Sequence, residues 1–558
     1  MKYVHGLLSL VCLGLIAAFT ALNMRFADPL PYSDEAAHLG KVLNLESVYR
    51  VQDRWGQLHE LLFSRDPYPQ VVHLVALAVR REWQTVDASR LSMSIFLLAH
   101  VALALGLGPR LWGKAGSWAY VALVAFSPIF LAYSRIFLID VPLVSMVGAA
   151  LILALASEGF SRTGPSIGLA IVATLGMLTK WVWAVFLFIP ITLAILRAVY
   201  GCSERWGPRI LAGVALILGS AGAGLAIWKG GLALDPRRYG AGTPEGWKPI
   251  MLVLGCFASL PVWAFLPWIR KKPLPRLVNV VWMLLFVVGT AGVWYTLMQT
   301  RLWERFALEE GQYMVRHGES SWRQSKVVLN ALVPAGQVLL GVGLLGALRA
   351  RAGGWTLLSG VGGAALGYWV IVSTLPFDPR YLIPLLPLLA AAVVAGWSGL
   401  GPLRWVATVG VVVLMMRLGV APLWDPSAVT RLGMLGVSVK LDEWHDLSLP
   451  SITRAHPRIG KGPAVAAFVD QVRSLCKSIP CRISYVQAPE FSLQGRGLSA
   501  LVGYAGTPLD VLETNKPVQG MPVLYSECKN RPAPLPETGT CLPTDELSSG
   551  CVVYFCTE

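Results

Sequence analysis

Charge is what this sequence has least of. Asp, Glu, Lys and Arg make up 14% of its 558 residues, against 55% apolar residues and a mean hydropathy of +0.57. A soluble chain of this length carries about 25% charged residues and divides into several domains, so an ordinary soluble protein is excluded. Compact CxxC pairs are missing too, and the C-x4-C spacings present lack supporting histidines, which disfavours a zinc site. No nucleic-acid motif and no solenoid repeat occurs, and no small-residue cleavage pattern follows the first apolar run. That run therefore reads as a retained helix rather than a signal peptide.

What is present is a series of apolar runs near the length that crosses a bilayer as helix. They fall near 4–24, 91–111, 116–133, 138–156, 165–179, 181–199, 209–228, 249–269, 277–298, 327–348, 355–374, 381–397 and 403–422. This predicts an α-helical polytopic membrane protein of about thirteen spans. With the N-terminus cytoplasmic, the short inside loops carry Arg110, Lys114, Arg162, Arg197, Arg205 and Arg209, then the cluster Arg270, Lys271, Lys272 and Arg276, then Arg349, Arg351 and Arg404. These obey the positive-inside bias. The long segment 25–90 and the tail then lie outside.

Cysteine placement agrees. Six of the nine cysteines, Cys476, Cys481, Cys528, Cys541, Cys551 and Cys556, lie in the tail. An even set in a polar domain points to disulfides and an oxidising, extracytoplasmic compartment. Sequence does not choose among the possible pairings. The chain thus divides into a membrane domain, 1–422, and a soluble domain, 423–558, of α/β or α+β character. In the soluble domain 463–478 reads as helix, and 482–487 and 551–555 as strands. The net charge of +15, from 47 basic and 32 acidic residues, suits work on anionic lipid.

Charges that do occur inside the membrane domain gather at span edges. In 31-PYSDEAAHLGKV-42, Ser33 is a helix N-cap, and Asp34, His38 and Lys41 fall on one helical face, opposite Ala36, Leu39 and Leu43. This predicts an amphipathic helix at the membrane surface, with a second such piece over 68–83. Asp34 and Glu35 fit dipole complementation in a first turn, an incomplete metal pair of Asp34 with His38, or a general base. Arg135 and Asp140 interrupt 132-AYSRIFLIDVPL-143, where Arg135 either snorkels or serves a site. Lys180 breaks an apolar hairpin in 176-GMLTKWVWAVF-186, and Arg380 opens a late helix in 377-FDPRYLIPLLP-387. Topology puts Arg135, Lys180 and Arg380 at the same outside edge as Asp34. Cations there can hold a lipid-linked phosphate while a carboxylate takes a proton from an acceptor hydroxyl.

The motifs resemble those of the protein O-mannosyltransferase family and its bacterial relatives, including the aminoarabinose transferases of lipid A, within the GT-C superfamily. Asp34-Glu35-Ala36-Ala37-His38-Leu39-Gly40-Lys41 is similar to an Asp-Glu-x-His-Phe-Gly-Lys motif with one extra residue before the histidine. Ser134-Arg135 through Leu138 and Asp140 resembles Ser-Arg-x-x-Leu-x-Asp, and Lys180-Trp181-Val182 resembles Lys-Trp-Val. Arg380-Tyr381-Leu382-Ile383-Pro384 resembles a segment of the bacterial relatives. No β-trefoil insert of the eukaryotic mannosyltransferases occurs.

The resemblance implies a GT-C fold and inverting glycosyl transfer from a polyprenyl-phosphate sugar in a bacterial inner membrane. It makes Asp34 the base, with Glu35 placing the acceptor. Arg135, Lys180 and Arg380 would hold the donor phosphate, with Asp140 orienting Arg135 and with His38, Lys41 and Tyr381 in support. No cofactor is required; a divalent metal occurs in some relatives and not others. The acceptor is a glycan, a lipid or a protein. A transporter or flippase of an anionic polyprenyl-linked lipid is the alternative; it predicts charges at mid-membrane and repeated halves.

Overall fold

In the computed structural model the described residues are 2–23, 33–51, 69–83, 85–134, 136–200, 274–292, 354–374 and 379–424, with isolated positions and five strands in the tail. The helices are α1 (Lys2–Asn23), α2 (Ser33–Val51), α3 (Val71–Glu82), α4 (Val86–Ala125), α5 (Pro128–Tyr133), α6 (Asp140–Ala156), α7 (Thr163–Met177), α8 (Trp183–Tyr200), α9 (Leu274–Val287), α10 (Gly354–Thr374), α11 (Leu385–Ala395) and α12 (Leu403–Trp424). The expected spans 209–228, 249–269 and 327–348 lie outside the described residues, as does the expected helix 463–478 but for Val472. The other expected spans each fall on a helix.

One apparent exception is instructive. α4 runs 40 residues and is the one described helix that meets both the length and the hydropathy needed to cross a membrane. It is in fact a hairpin. Ser117 Oγ donates to the carbonyl of Ala104 at 2.7 Å, and the His100 and Tyr120 side chains hydrogen-bond at 2.9 Å. In a straight helix residues 100 and 120 would stand about 30 Å apart. The chain reverses at Gly113, whose φ of 74° and ψ of 167° suit only a residue without a Cβ. The two arms are the expected spans 91–111 and 116–133, with α5 completing the second.

α6 is the central post. It is apolar all round, and such a helix is stable only when surrounded; it packs against α4, α7, α8 and α11, and nearly all its residues are buried. His100 lies flat on α6 at Gly148, where a Cβ would meet the ring at 2.2 Å. α10 approaches its neighbours through a glycine face: Cβ atoms at Gly360 and Gly363 would sit 2.5 and 2.7 Å from the carbonyl oxygens of Leu388 and Phe186. Close backbone approach through small residues is how helices gain packing where burial from water supplies none. Thr408 of α12 accepts from the Trp397 indole at 2.8 Å and donates to the carbonyl of Ala115 at 3.1 Å, tying α12 to the α4 hairpin. Large apolar side chains stay exposed on α1 (Leu7, Leu10, Leu15), α9 (Trp282, Leu285) and α12 (Leu403, Val406, Val409, Val413). Those faces suit contact with lipid chains.

The tail forms a five-stranded sheet of β1 (Cys481–Val486), β2 (Leu509–Glu513), β3 (Val523–Cys528), β4 (Thr540–Pro543) and β5 (Cys551–Thr557), in the order β2-β1-β3-β5-β4. β1 runs parallel to β2 and β3; β5 is antiparallel to β3 and β4. β1 and β5 coincide with the two strands read from the sequence. Among the described side chains Cys12 is a free thiol and no disulfide is formed.

Candidate functional site

α2 begins at Ser33, as the cap residue predicts, but its buried stripe is not the expected one. The wheel puts His38 on the polar face; instead Glu35, His38, Leu39, Val42 and Leu45 are all buried, at i, i+3, i+4, i+7 and i+10. Polar groups go inside when partners meet them there, and the partners come from distant parts of the chain. Arg90, in the first turns of α4, donates from Nε and Nη2 to the two Glu35 carboxylate oxygens at 2.6 and 2.7 Å. Each side chain is only 1% exposed. The Phe137 backbone N–H donates to Glu35 Oε1 at 2.8 Å. Glu35 therefore ties α2 both to α4 and to the 134–139 segment that carries Arg135.

His38 completes the same junction. Its Nδ1 stands 3.1 Å from Nε2 of His73 on α3, and both rings meet Phe137 edge-on, at centroid distances of 6.5 and 6.1 Å. In that hydrogen bond one ring donates and the other accepts, so at least one is neutral. Burial is the main cause that pushes the His38 pKa well below its usual 6.5, and the positive charges of Lys41, His73, Lys180 and Arg380 push it the same way. Residues from four separate stretches thus converge around one imidazole. Further along α2, Glu46 accepts from Arg80 of α3 at 2.7 Å and from Arg50. Burial raises the Glu46 pKa, but the two arginines outweigh it and the net shift is downward.

Across the junction, Lys180 stands in the turn between α7 and α8, whose tightness comes from the Trp183 indole lying against Gly176. Lys180 Nζ donates to Asp140 Oδ1 at 2.8 Å, with both side chains nearly buried, and lies 4.5 Å from the Tyr381 ring centroid. Asp140 is the first residue of α6, where a carboxylate is favoured by the helix dipole. Arg380 Cζ is 5.0 Å from the same centroid, and its Nη2 donates to the Tyr381 hydroxyl at 3.2 Å. Tyr381 therefore gathers two cations that would otherwise repel, through cation–π attraction.

Of the residues singled out from sequence, Glu35, His38, Lys41, Asp140, Lys180, Arg380 and Tyr381 come together. Asp140 holds Lys180; its expected role beside Arg135 falls on a residue outside the described ones. Arg135 and the Asp34 side chain lie outside the described residues; the Asp34 backbone opens α2, one turn before His38. Sequence reasoning missed Arg90, His73, Glu46 and Arg80. Arg90 directly precedes an apolar run and His73 sits in the expected second amphipathic piece, but neither has a motif that announces its partner. Among the described residues no group of three or more His, Cys, Asp and Glu is placed to hold a metal; His38 and His73 are two.

Lys180, paired with Asp140, and Arg380 meet at the Tyr381 ring, and both act together with Lys41 on His38, so three cations share one cluster. Such a set can bind an anion. No family model and no curated protein matches the sequence. Among the solved structures that match are two that align along almost the whole chain. One is ArnT from Cupriavidus metallidurans bound to undecaprenyl phosphate, with a TM-score of 0.53, 13% identity, and coverage of 98% of this chain and 97% of that one. The other is the same ArnT in the apo state, with a TM-score of 0.53, 14% identity and 97% coverage of each chain. The chain thus shares its fold with ArnT.

Proposed function

We propose that the chain is an integral-membrane glycosyltransferase that moves a sugar from a polyprenyl-phosphate donor to an acceptor on the extracytoplasmic face. The observation that carries this reading is the convergence of Lys41, Lys180 and Arg380 on the His38 junction. Support comes from the fold shared with an ArnT captured with undecaprenyl phosphate. In this reading Lys180 and Arg380, with Arg135, hold the donor phosphate. Tyr381 fixes the spacing of the first two, and Asp140 keeps Lys180 charged in a buried setting.

The chemistry is one displacement. The acceptor oxygen attacks the anomeric carbon, and the bond from that carbon to the phosphate oxygen breaks with its electron pair leaving on the polyprenyl phosphate. Asp34 takes the acceptor proton, and the anomeric configuration inverts. Glu35, clamped by Arg90 and the Phe137 N–H, acts as a positioning residue for α2 and the Arg135 segment. The bilayer orientation, with an inside N-terminus, about thirteen spans and an outside tail, belongs to this proposal.

The test uses the full-length protein in lipid vesicles with a radiolabelled polyprenyl-phosphate sugar and envelope extract as acceptor. Label appearing in acceptor, with stoichiometric release of polyprenyl phosphate, is expected. Label that crosses the bilayer while still on its lipid would overturn transfer in favour of a flippase.

A further inference from the structure

The sheet register selects one disulfide pattern. We infer that the tail is stapled by Cys528–Cys551 and Cys541–Cys556; this rests on the proposed extracytoplasmic placement of the tail. Six cysteines allow fifteen complete pairings. In the antiparallel pair β3–β5, Cys528 stands directly opposite Cys551. In the pair β4–β5, Cys541 stands directly opposite Cys556. Cross-strand partners have Cα atoms about 4.5–5.5 Å apart, inside the range of about 4.4–6.8 Å that a disulfide requires.

The competing pairs are too far apart. Cys551 and Cys556 are five residues apart on one strand, about 17 Å at the usual rise, and on opposite faces of the sheet. Cys541 is therefore also about 17 Å from Cys551. Cys528 and Cys541 lie on different sides of β5, at opposite ends of it. Cys481 lies on β1, three residues before Ser484, which pairs with Val523. From there Cys528 is eight residues along the sheet, about 26 Å, and Cys556 is two strands and three residues away, about 14 Å. Cys541 is a strand further still. Two register pairs thus take four of the six tail cysteines.

The two sheet staples serve the edge of the fold. Among the described residues β4, four residues long, pairs only with β5, and the chain between β3 and β4 carries three prolines. A bond on each face of β5 fixes both of its neighbours in register. Each bridge forms as two thiols give up two protons and two electrons to an extracytoplasmic protein thiol oxidant, whose own disulfide is reduced to a dithiol.

Peptide mapping tests this on the full-length protein, purified from membranes after thiols are blocked with N-ethylmaleimide and digested without reductant. Cross-linked peptides joining Cys528 to Cys551 and Cys541 to Cys556 are expected. Cys528→Ser should leave Cys551 as the only newly alkylated tail cysteine. Any other linkage of these four cysteines overturns the assignment, as does maleimide on all four in the wild type. Neither result bears on the transfer assay with labelled donor, so failure here and failure of the proposed activity are distinguishable.

Discussion

Removing Glu35 gives two different results depending on whether it positions α2 or touches the acceptor. In Glu35→Ala the Arg90 guanidinium, at 1% exposure, loses both carboxylate oxygens. Stripping one partner from a buried ion pair costs about 3–5 kcal/mol. The Phe137 N–H loses its acceptor as well, worth about 1–3 kcal/mol if nothing replaces it. Asp87, 3.4 Å from Arg90 but 40% exposed, recovers a fraction of this. With a net loss of about 3–5 kcal/mol, the midpoint in scanning fluorimetry of the detergent-solubilised protein should fall by roughly 6–20 °C, at about 2–4 °C per kcal/mol. Replacing both partners by apolar residues, Glu35→Leu with Arg90→Met, should recover most of that fall, since a buried pair swapped for apolar groups is often neutral. A Glu35→Ala protein with an unchanged midpoint and abolished turnover would refute the positioning role and make Glu35 an acceptor contact.

Three other perturbations bear on the account. Lys180→Met alone should destabilise by about 3–5 kcal/mol, because it strands the buried Asp140 carboxylate. Lys180→Met with Asp140→Asn should fold, yet bind undecaprenyl phosphate roughly 10- to 150-fold more weakly in a direct titration, the value of about 1.5–3 kcal/mol for a charged hydrogen bond; wild-type affinity in the double variant would remove Lys180 from the phosphate site. Acidification should loosen the α2–α3 junction in two stages. A folded-state His38 pKa well below 6.5 means that stability present above pH 6.5 is lost as pH falls below it, while the depressed Glu46 pKa adds a further loss below 4.5. The midpoint–pH profile of His38→Gln should lack the first stage, and an identical profile would contradict it. Gly363→Ala should cost about 1–3 kcal/mol by forcing a Cβ against the Phe186 carbonyl, whereas Gly410→Ala, with open space around it, should keep the wild-type midpoint.

How far the sequence could be read follows from the range of the forces involved. Apolar runs report burial in lipid directly, so the helices fall where the hydropathy puts them, and the α4 hairpin is visible because Gly113 and the polar stretch near it interrupt the run. Lys180 stands out because its charge is alone among apolar neighbours, and Arg380 because it opens an apolar run. Arg90 also precedes an apolar run, but its partner Glu35 is 55 residues away and helical periodicity says nothing about such a pair. The same blindness hides the burial of His38, whose hydrogen-bond partner His73 lies 35 residues on. It hides the Lys180–Asp140 pair as well, since the turn at Lys180 brings a cation back to the start of α6 across 40 residues of sequence.

The central claim is that this junction carries out glycosyl transfer with Asp34 as the base. Single-turnover transfer from a labelled polyprenyl-phosphate sugar, followed in wild type and Asp34→Asn alongside undecaprenyl phosphate affinity, tests it most directly. The account predicts a transfer rate lower by about 10²–10⁴-fold with donor-lipid affinity and thermal midpoint preserved. An Asp34→Asn protein that transfers sugar at the wild-type rate would contradict it.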